Sequence, residues 1–230
     1  MTIKIFVTGT DTGVGKTYIS AALLRKFNNI GYSTFGIKPV ASGCYYSTNS
    51  NELHNEDALT LQKISSIKTS YAFVNPISLK APIAPNIAAQ LEGLHLSTTV
   101  LIEKINKSLA VSSDVFIIEG IGGWAVPLNA TESMADFVAL LRIPVILIAG
   151  IKLGCLNHTI LTAQAIKQKG VPFLGWVANC IEPYTEKVNE NIETLIKWVK
   201  APCIGVVHYK KDPIEQFSLQ SILNFSKINM

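Results

Sequence analysis

The nine residues GTDTGVGKT, at positions 9–17, decide the fold of this chain. They follow a short β-branched run at residues 3–8 and precede a helical pattern whose inward side could carry Leu23, Leu24 and Phe27. A glycine-rich turn between a strand and a helix directs backbone N–H groups at an anion, and the helix N-terminus adds positive potential. The stretch therefore predicts a phosphate-binding loop in an α/β fold.

Two glycines and a lysine inside this loop fit the chemistry of a bound triphosphate. Gly13 and Gly15 let the backbone approach the phosphates without a Cβ clash. Lys16 would reach the β- and γ-phosphates, and the Thr17 hydroxyl would bind Mg²⁺. The strict pattern GxxxxGK[ST] asks for glycine at position 10, whereas this chain places Gly9 one residue early. A plain glycine-rich turn with a surface lysine is the alternative, and the strand–turn–helix context favours nucleotide binding over it.

The composition indicates an ordinary globular chain. Its 230 residues are 48% hydrophobic and 16% charged, which excludes an intrinsically disordered protein. The net charge of +4 arises from 20 basic and 16 acidic residues and is too small to indicate nucleic-acid binding by itself. The four cysteines form no CxxC pair, so we expect neither a zinc site nor a thioredoxin-type site.

The sequence predicts no membrane or export segment. The longest apolar stretch, residues 143–151, is too short to span a bilayer. The first residues lead directly into glycine and threonine without a secretory pattern. We therefore expect a cytoplasmic protein with free thiols and no membrane partner.

Short apolar runs alternate with longer amphipathic stretches along the chain. The runs are continuous rather than alternating, as in strands that are covered on both faces. The predicted strands are residues 3–8, 34–40, 115–118, 144–149, 173–178 and 203–207. Strand, helix and strand in repetition predict a single α/β domain over residues 1–230, with a mostly parallel sheet and helices on both faces.

Apolar residues at helical spacing mark three of the helices. The stripes are Met134, Phe137, Val138 and Leu141; Ile192, Leu195, Ile196 and Val199; and Leu101, Ile105 and Leu109, with Ser97 as the N-cap of the last. Gly31 and Gly170 stand where helices are expected to end. The polar residues 42–56 and the proline-containing residues 75–93 are predicted as two long loops, and long ordered loops are often functional.

Two carboxylates and a lysine occupy positions suited to a magnesium–nucleotide site. Glu119 ends a predicted strand, which in a parallel sheet places it at the carboxyl edge beside the loop. The alternative for Glu119 is a strand-ending glutamate before a glycine turn. Asp57 stands at a helix start, where the helix dipole would explain it equally well. Lys38 closes the second strand and either points into the same crevice or faces water.

Six stretches of the chain resemble the dethiobiotin synthetase family, in that family's order and spacing. They are FVTGTDTGVGKT (6–17), KPVASG (38–43), NEDAL (55–59), EGIGGWAVPL (119–128), PVILIAGIKLGCLNHTILTAQAI (144–166) and GWVAN (175–179). The resemblance covers nearly the whole chain, as far as residue 207, and the stretch through KLGCLNH is its most specific part.

The resemblance implies an ATP-dependent ligase on a P-loop NTPase fold. Members of this family are homodimers that join CO₂ to 7,8-diaminononanoate using MgATP. One amine captures CO₂ as a carbamate, and ATP phosphorylates the carbamate to a carbamic–phosphoric anhydride. The second amine then closes a cyclic urea, with release of ADP and phosphate. The implied partners are these small molecules and a second copy of the chain, with no nucleic acid.

The resemblance also implies roles for particular residues. The catalytic residues are Lys38 and Lys16, and the metal ligands are Thr17, Asp57 and Glu119. The nucleotide is bound by Gly13, Val14, Gly15, Lys16, Thr17, Tyr18, Asp57, Glu119, Gly120, Ile121, Gly122, Asn179, Cys180, Val207, His208 and Tyr209. Thr12 and Ser42 hold the carbamate, and the substrate carboxylate is held across the dimer interface by Gly154, Cys155, Leu156 and Asn157. At Cys180, His208 and Tyr209 the chain departs from the family pattern, which has an acid, a proline and a tryptophan there.

Three other functions use the same fold. A switch or partition ATPase places a lysine early in the phosphate loop, where this chain has Asp11. An amidotransferring cobyrinate-type synthetase needs a glutaminase domain, which we do not expect in 230 residues. A kinase for a small acid would leave the segment from Lys38 to Ser42 unexplained.

Overall fold

The computed structural model describes residues 2–48 and 51–228. The longer strands are β1 (Ile3–Gly9), β2 (Thr34–Ile37), β7 (Val115–Glu119), β8 (Val145–Ile151), β9 (Phe173–Cys180) and β10 (Cys203–Val207). The two-residue strands are β3 (Val40–Ala41), β4 (Tyr45–Tyr46), β5 (Leu53–His54) and β6 (Ile77–Ser78). The helices are α1 (Lys16–Asn29), α2 (Glu56–Ile64), α3 (Tyr71–Val74), α4 (Pro85–Leu91), α5 (Thr98–Leu109), α6 (Met134–Leu141), α7 (Cys155–Gln168), α8 (Val188–Val199) and α9 (Gln220–Ile228), with a 3-10 turn at Pro213–Glu215.

The six longer strands form one parallel sheet in the order β10-β9-β8-β1-β7-β2. Strand β1 lies between β7 and β8, with Ile5 opposite Ile117 and Val7 opposite Ile146. Every residue of β7 and β8 is buried, as expected for strands that are covered on both faces. The prediction of an α/β fold with a mostly parallel sheet is confirmed.

Helix boundaries follow the cap residues that the sequence provides. The Ser97 hydroxyl accepts a backbone N–H of the first turn of α5 at 3.2 Å. Ser133 and Asp136 form a reciprocal capping box at the start of α6. Gly31 and Gly170 follow the ends of α1 and α7 with φ angles of 89° and 71°, a left-handed conformation that favours glycine.

The structure corrects three predictions of local structure. Residues 34–40 are not one strand: β2 ends at Ile37 and Val40 pairs with β6 instead, because Pro39 between them has no N–H to donate. Residues 42–56 and 75–93 are not loops throughout, since they contain β4, β5, β6 and α4. Ile196 is 52% exposed, because the other three residues of its stripe already fill the buried strip of α8.

Aromatic and aliphatic side chains fill the interior between the sheet and the helices. The rings of Phe6 and Phe137 meet edge to face at 6.5 Å, and those of Phe35 and Phe116 at 6.1 Å. All four cysteines are free thiols. Among the residues described, no helix combines the length and the apolar character needed to cross a bilayer.

The parallel direction of the strands gathers their carboxyl ends along one edge of the sheet. Gly9 ends β1 and continues into the loop before α1, Glu119 ends β7, and Lys38 follows β2 directly. The chain crosses to opposite sides of β1 to form β7 and β8, which makes β1 the switch point of the sheet. Ligands of open α/β sheets bind in the crevice at such a point.

Asp136 makes the stability of the fold depend on pH. Hydrogen bonds from Lys169 and then from Ser133 lower the pKa of the Asp136 carboxyl to about 2. Because the unfolded value is about 3.9, the carboxylate stabilises the fold above about pH 4 and loses this effect as the pH falls towards 2. The side chain is 34% exposed, which screens the interaction. We expect Asp136→Asn to lower the free energy of unfolding by about 1 kcal/mol at pH 7.

Urea denaturation of both proteins at pH 7 and at pH 2.5 measures this contribution. At pH 2.5 the difference should shrink to less than half of its value at pH 7. Glu103→Gln, on the exposed side of α5, is the control and should stay within about 0.5 kcal/mol of the wild type at both pH values. An Asp136→Asn effect of equal size at both pH values would contradict the role of the charge.

Candidate active site

A cavity of about 970 Å³ opens at the carboxyl edge of the sheet. Five segments form its walls: the loop after β1 with the start of α1, the turn after β2, the start of α2, the residues before α4, and the turn after β7. These segments are far apart in the sequence, and the parallel sheet brings them together.

Two left-handed glycines shape the loop between β1 and α1. Gly13 and Gly15 have φ angles of 76° and 88°. Asn179 Nδ2, on β9, donates to the carbonyl oxygen of Val14 at 2.8 Å, and a Cβ on Gly15 would lie only 2.2 Å from the same nitrogen. A Cβ on Gly9 would lie 2.6 Å from Val14 Cγ2. The early glycine that departs from the strict loop pattern is therefore required by packing beneath the loop.

The N-terminus of α1 is left open for an anion. Within the described residues no side chain caps α1, and its N-cap position is the left-handed Gly15. By contrast, Asn55 and Ser97 cap α2 and α5. The first N–H groups of a helix have no partner inside the helix, so those of α1 can bind phosphate oxygens.

Lys16 lies at this helix start with its side chain turned into the site. It is 7% exposed, and its Nζ donates to the carbonyl oxygen of Asp11 at 2.9 Å. Burial and the nearby charge of Lys38 lower the pKa of Lys16 to about 8. In the described part of the chain that carbonyl is its hydrogen-bond partner, so two of the three ammonium protons are free for an anionic ligand.

Lys38 is 3% exposed and lies among three oxygen atoms. Its Nζ donates to Glu119 Oε1 at 2.6 Å, to Asp57 Oδ2 at 3.1 Å and to the carbonyl oxygen of Gly120 at 3.1 Å. Burial by itself would lower the pKa of Lys38, but the two carboxylates outweigh burial and raise it above the ordinary value. Lys38 is therefore a cation at neutral pH. The sequence left open whether its side chain points into the crevice or faces water, and in the structure it points into the crevice.

Asp57 and Glu119 are held beside Lys38 by different elements. Asp57 stands in the first turn of α2, and although burial opposes ionisation, Lys38 and Thr17 lower the pKa of its carboxyl below the ordinary value. Glu119 is fully buried at the end of β7, and its Oε1 also accepts the Thr17 hydroxyl at 2.8 Å. Thr17 in the first turn of α1, Asp57 in the first turn of α2 and Glu119 at the end of β7 thus present oxygen atoms to a common point.

The donor set of Thr17, Asp57 and Glu119 fits a hard cation. Glu119 Oε2 is buried and has no hydrogen-bond partner among the residues described, and such an oxygen is costly unless a cation or donor meets it. The described residues contain no group of three or more His, Cys, Asp or Glu side chains placed to hold a metal. Two carboxylates and one hydroxyl nevertheless suit Mg²⁺, which takes one or two protein carboxylates and completes its shell with water and phosphate.

The cavity unites many of the residues that the sequence and the family resemblance predict. Those lining it are Thr12, Gly13, Gly15, Lys16, Thr17, Tyr18, Lys38, Ser42, Asp57, Ile121 and Gly122. Glu119 and Gly120 join this group through their hydrogen bonds to Lys38, and Val14 is buried beneath the loop.

Other predicted residues lie outside the walls of this cavity. Asn179, Cys180 and Val207 are buried at the ends of β9 and β10, and His208 and Tyr209 are exposed just beyond β10. The Tyr18 hydroxyl donates to the carbonyl oxygen of Lys211 at 2.8 Å, so the segment after β10 lies against the start of α1. Gly154, Cys155, Leu156 and Asn157 form the start of α7 and do not line the cavity either. For both groups a ligand contact stays a prediction.

Sequence reasoning missed one wall of the cavity. Residues 82–85, before and at the start of α4, line it, together with Gly123, Val126 and Pro127. The prolines of the segment 75–93 were a signal that it is ordered, but nothing in their spacing indicates which strand end it faces. Asp11 and Asn55 also line the cavity, the first within the loop and the second as the cap of α2.

Three features define this chain as a P-loop nucleoside-triphosphate-binding α/β protein. They are the strand–loop–helix geometry, the open helix N-terminus, and a cavity that contains two lysines and a donor set for a hard cation. A family model described as an AAA domain matches residues 3–216. The chain is 45% identical over 202 residues, 88% of each chain, to the ATP-dependent dethiobiotin synthetase BioD of Pseudomonas aeruginosa. It is 46% identical to the BioD of Cellvibrio japonicus, over 88% of this chain and 87% of that protein. It is 44% identical to the BioD of Xanthomonas oryzae, over 90% and 91%. This chain belongs to the family of ATP-dependent dethiobiotin synthetases.

Solved structures with the same fold are more distant in sequence. The septum site-determining protein MinD complexed with Mg-ADP, from Pyrococcus horikoshii, has a TM-score of 0.54 at 16% identity, covering 90% of this chain and 82% of that chain. The cell division protein FtsY of Thermotoga maritima has a TM-score of 0.55 at 14% identity, covering 97% and 68%. At these identities the likeness shows the P-loop NTPase fold alone. It therefore does not favour the switch or partition ATPase over the ligase.

Gly15 provides a direct test of the loop geometry. Alanine at this position must adopt a left-handed φ and also push Asn179 away, because its Cβ would lie 2.2 Å from Asn179 Nδ2. We expect Gly15→Ala to weaken the binding of MgADP, measured by isothermal titration calorimetry, by at least about tenfold, or about 1.4 kcal/mol.

Gly13→Ala is the matched control for this substitution. Gly13 has a similar φ of 76°, but a Cβ there would have no atom within 4 Å. Gly13→Ala therefore imposes the same kind of backbone strain as Gly15→Ala without the clash, and we expect a smaller loss of affinity for MgADP. Equal losses in the two variants would mean that the Asn179 contact does not shape the loop.

Proposed function

We propose that this chain is a dethiobiotin synthetase that joins CO₂ to 7,8-diaminononanoate at the expense of ATP. An unprotonated amine adds to the carbon of CO₂ and loses a proton, which gives a carbamate. A carbamate oxygen then attacks the γ-phosphorus of ATP, the bond to the β–γ bridging oxygen breaks, and ADP leaves. The second amine attacks the carbonyl carbon of this carbamic–phosphoric anhydride, phosphate leaves, and the ring closes with loss of a proton.

The observation that carries the proposal is the pair of buried lysines in one cavity. The carbamate and the γ-phosphate are both anions, so fixed positive charge is needed to bring them together. Lys16 and Lys38 both line the cavity and lie close enough for the charge of Lys38 to lower the pKa of Lys16. On this proposal Lys16 binds the γ-phosphate and Lys38 stabilises the charge that develops between carbamate and phosphate.

The metal of the proposed reaction is Mg²⁺, held by Thr17, Asp57 and Glu119. When bound, Mg²⁺ neutralises phosphate charge and so favours attack by another anion. The unpartnered Glu119 Oε2 supports this assignment, as does the depressed pKa of Asp57. The chain itself orients these groups through the Thr17–Glu119 and Lys38–Glu119 hydrogen bonds.

Two cavity residues are proposed to hold the carbamate. Thr12 lies in the loop after β1, Ser42 stands four residues after Lys38, and both line the cavity. The Ser42 hydroxyl is buried and has no hydrogen-bond partner within the described part of the chain, so a polar ligand in the cavity would satisfy it. This supports a substrate-binding role for Ser42 independently of the family resemblance.

The nucleotide is proposed to extend from the loop towards the ends of β9 and β10. Gly13 to Tyr18 and residues 119–122 would surround its phosphates and sugar. The base would then meet Asn179, Cys180, Val207, His208 and Tyr209, near the point where the Tyr18 hydroxyl contacts Lys211. Cys180, His208 and Tyr209 would give this chain base contacts of its own.

The substrate carboxylate is proposed to bind at the start of α7 of a second copy of the chain. The N-cap of α7 is the left-handed Gly154, and in the described residues no side chain caps this helix. Its backbone N–H groups can therefore donate hydrogen bonds to an anion, as at α1. Leu153, beside this turn, is 97% exposed, which fits a surface that another copy covers. On this proposal the working unit is a cytoplasmic homodimer in which each chain folds as one domain.

The coupling of ATP use to both co-substrates tests the proposed reaction. We expect phosphate release, followed with a coupled enzymatic assay, to require the diamine and bicarbonate together, and mass spectrometry to show one cyclic urea per phosphate. An analogue with a single amino group is the control and should yield no cyclic urea. Equal ATP hydrolysis with and without the diamine would contradict the proposal and favour a switch-type ATPase.

The role of Lys38 can be separated from nucleotide binding. We expect Lys38→Ala to lower kcat by about 10² to 10³, because the lysine acts on charge that develops during the reaction. The affinity for MgADP should fall by much less, no more than about tenfold or about 1.4 kcal/mol, because Lys16 and the loop N–H groups remain although Glu119 loses its buried partner. Lys104→Ala, at an exposed position of α5, is the control and should match the wild type in both. Losses of equal size in affinity and kcat would contradict a role in the chemical step.

A further inference from the structure

The main chain of Lys38 is held by α3 rather than by the sheet. Strand β2 is the edge strand and its ladder with β7 ends at Ile37, so among the residues described Lys38 pairs with no strand. Instead, the Lys38 N–H donates to the carbonyl oxygen of Val74 at 2.7 Å. Its carbonyl oxygen accepts Asn75 Nδ2, also at 2.7 Å. The end of α3 thus takes the place of a strand at the position of the buried lysine.

The side-chain amide of Asn75 is locked in one orientation. Asn75 is 3% exposed, and its Nδ2 donates to two carbonyl oxygens, those of Lys38 at 2.7 Å and Ile77 at 3.1 Å. Its Oδ1 accepts two hydroxyl groups, from Tyr71 at 3.0 Å and Ser78 at 2.7 Å. An amide flipped by 180° would turn Oδ1 towards two carbonyl oxygens, so this is the arrangement in which all four hydrogen-bonding positions are satisfied.

Tyr71 extends the same network to the helix that carries Asp57. Its hydroxyl oxygen accepts the backbone N–H of Asn55 at 2.8 Å, while its proton goes to Asn75. Asn55 is the N-cap of α2, and its side chain accepts the N–H groups of Asp57 at 3.1 Å and Ala58 at 3.3 Å. Burial raises the pKa of the Tyr71 hydroxyl well above its usual range, so Tyr71 remains a hydrogen-bond donor.

The hydrogen-bond network therefore reaches both partners of one ion pair. At one end Asn75 fixes the backbone of Lys38, and at the other Tyr71 fixes the cap of the helix that presents Asp57. The two charged groups meet at 3.1 Å between Lys38 Nζ and Asp57 Oδ2. Neither Tyr71 nor Asn75 lines the cavity, so their effect on a ligand is through these two residues.

We propose that Tyr71 and Asn75 are positioning residues that set the placement of Lys38 relative to Asp57 and so tune both cation binding and turnover. The effect on turnover rests on the proposed reaction, whereas the effect on cation binding rests on the proposed metal site alone. Removal of a group that hydrogen-bonds to a metal ligand and orients it commonly lowers metal affinity or activity by about 10- to 100-fold.

Tyr71→Phe removes the hydroxyl and keeps the ring. The Asn55 N–H and one lone pair of Asn75 Oδ1 then lose their partners, and the start of α2 is no longer tied to α3. We expect the Mg²⁺ concentration needed for half-maximal ADP binding, measured by calorimetry over a Mg²⁺ titration, to rise about tenfold. We expect kcat to fall by a similar factor while the KM for the diamine stays within about twofold.

Two control variants separate positioning from general stability. Tyr32→Phe removes a hydroxyl from a tyrosine that packs on Phe27 away from the site. Ser78→Ala removes one bond to Asn75 Oδ1 and leaves the bonds to Lys38 and Asn55 in place. We expect both to keep the wild-type Mg²⁺ dependence and kcat.

Should Tyr71→Phe fail to fold, Asn75→Ser provides the second variant. It removes the bond to Lys38 and keeps the bond between Asn55 and Tyr71, and we expect about a tenfold loss in kcat with a smaller change in Mg²⁺ dependence. A lower melting temperature with unchanged Mg²⁺ dependence and unchanged kcat would overturn the proposal. A wild-type protein that binds MgADP but lacks diamine-dependent turnover would instead refute the proposed reaction, and the Mg²⁺ titration would still test the network.

Discussion

The ion pair between Lys38 and Glu119 is the constraint on which the rest of the site depends. Its two charges lie 2.6 Å apart, and both side chains are almost completely removed from water. Burying either charge alone would be strongly unfavourable, by about 3–5 kcal/mol if the partner is removed, so each requires the other. Asp57 and the carbonyl of Gly120 also accept hydrogen bonds from Lys38, and Thr17 donates to Glu119 Oε1, while Glu119 Oε2 has no partner among the residues described. The pair therefore fixes the relative positions of β2, α2, α1 and β7 at the edge of the sheet.

This arrangement gives the two lysines different properties. Lys38 is surrounded by carboxylates that raise its pKa, which keeps it charged and fixed in place. Lys16 has a carbonyl partner and a pKa lowered to about 8, so an anion would stabilise its charged form more than the protein does. A triphosphate in the loop is such an anion. On the proposed function, Lys16 would receive the negative charge of the nucleotide while Lys38 stays charged beside it, and a reaction between two anions requires such fixed positive charge.

Much of the fold and part of the site could be predicted from the sequence. The continuous apolar strands and the loop at residues 9–17 identify the fold, and Glu119 is recognisable because it ends a strand of a parallel sheet. Asp57 could not be identified from pattern alone, since a helix-start acid has the same appearance whether or not it meets a lysine. Tyr71 and Asn75 left no signal, because they act through backbone atoms of Lys38 and Asn55, and side-chain patterns carry no information about such contacts. At Ile196 the sequence predicted a buried residue that is exposed. The helical spacing is correct, but the buried strip of α8 is narrower than the apolar stripe.

The most direct test of this account is a crystal structure with Mg²⁺, a non-hydrolysable ATP analogue and the diamine bound. We expect the triphosphate to lie along residues 12–17 and Lys16 Nζ to contact a γ-phosphate oxygen in place of the Asp11 carbonyl. We expect an amine of the substrate to lie on the Lys38 side of that phosphate. A triphosphate bound elsewhere, or a Lys16 that still contacts Asp11 and no phosphate, would contradict it.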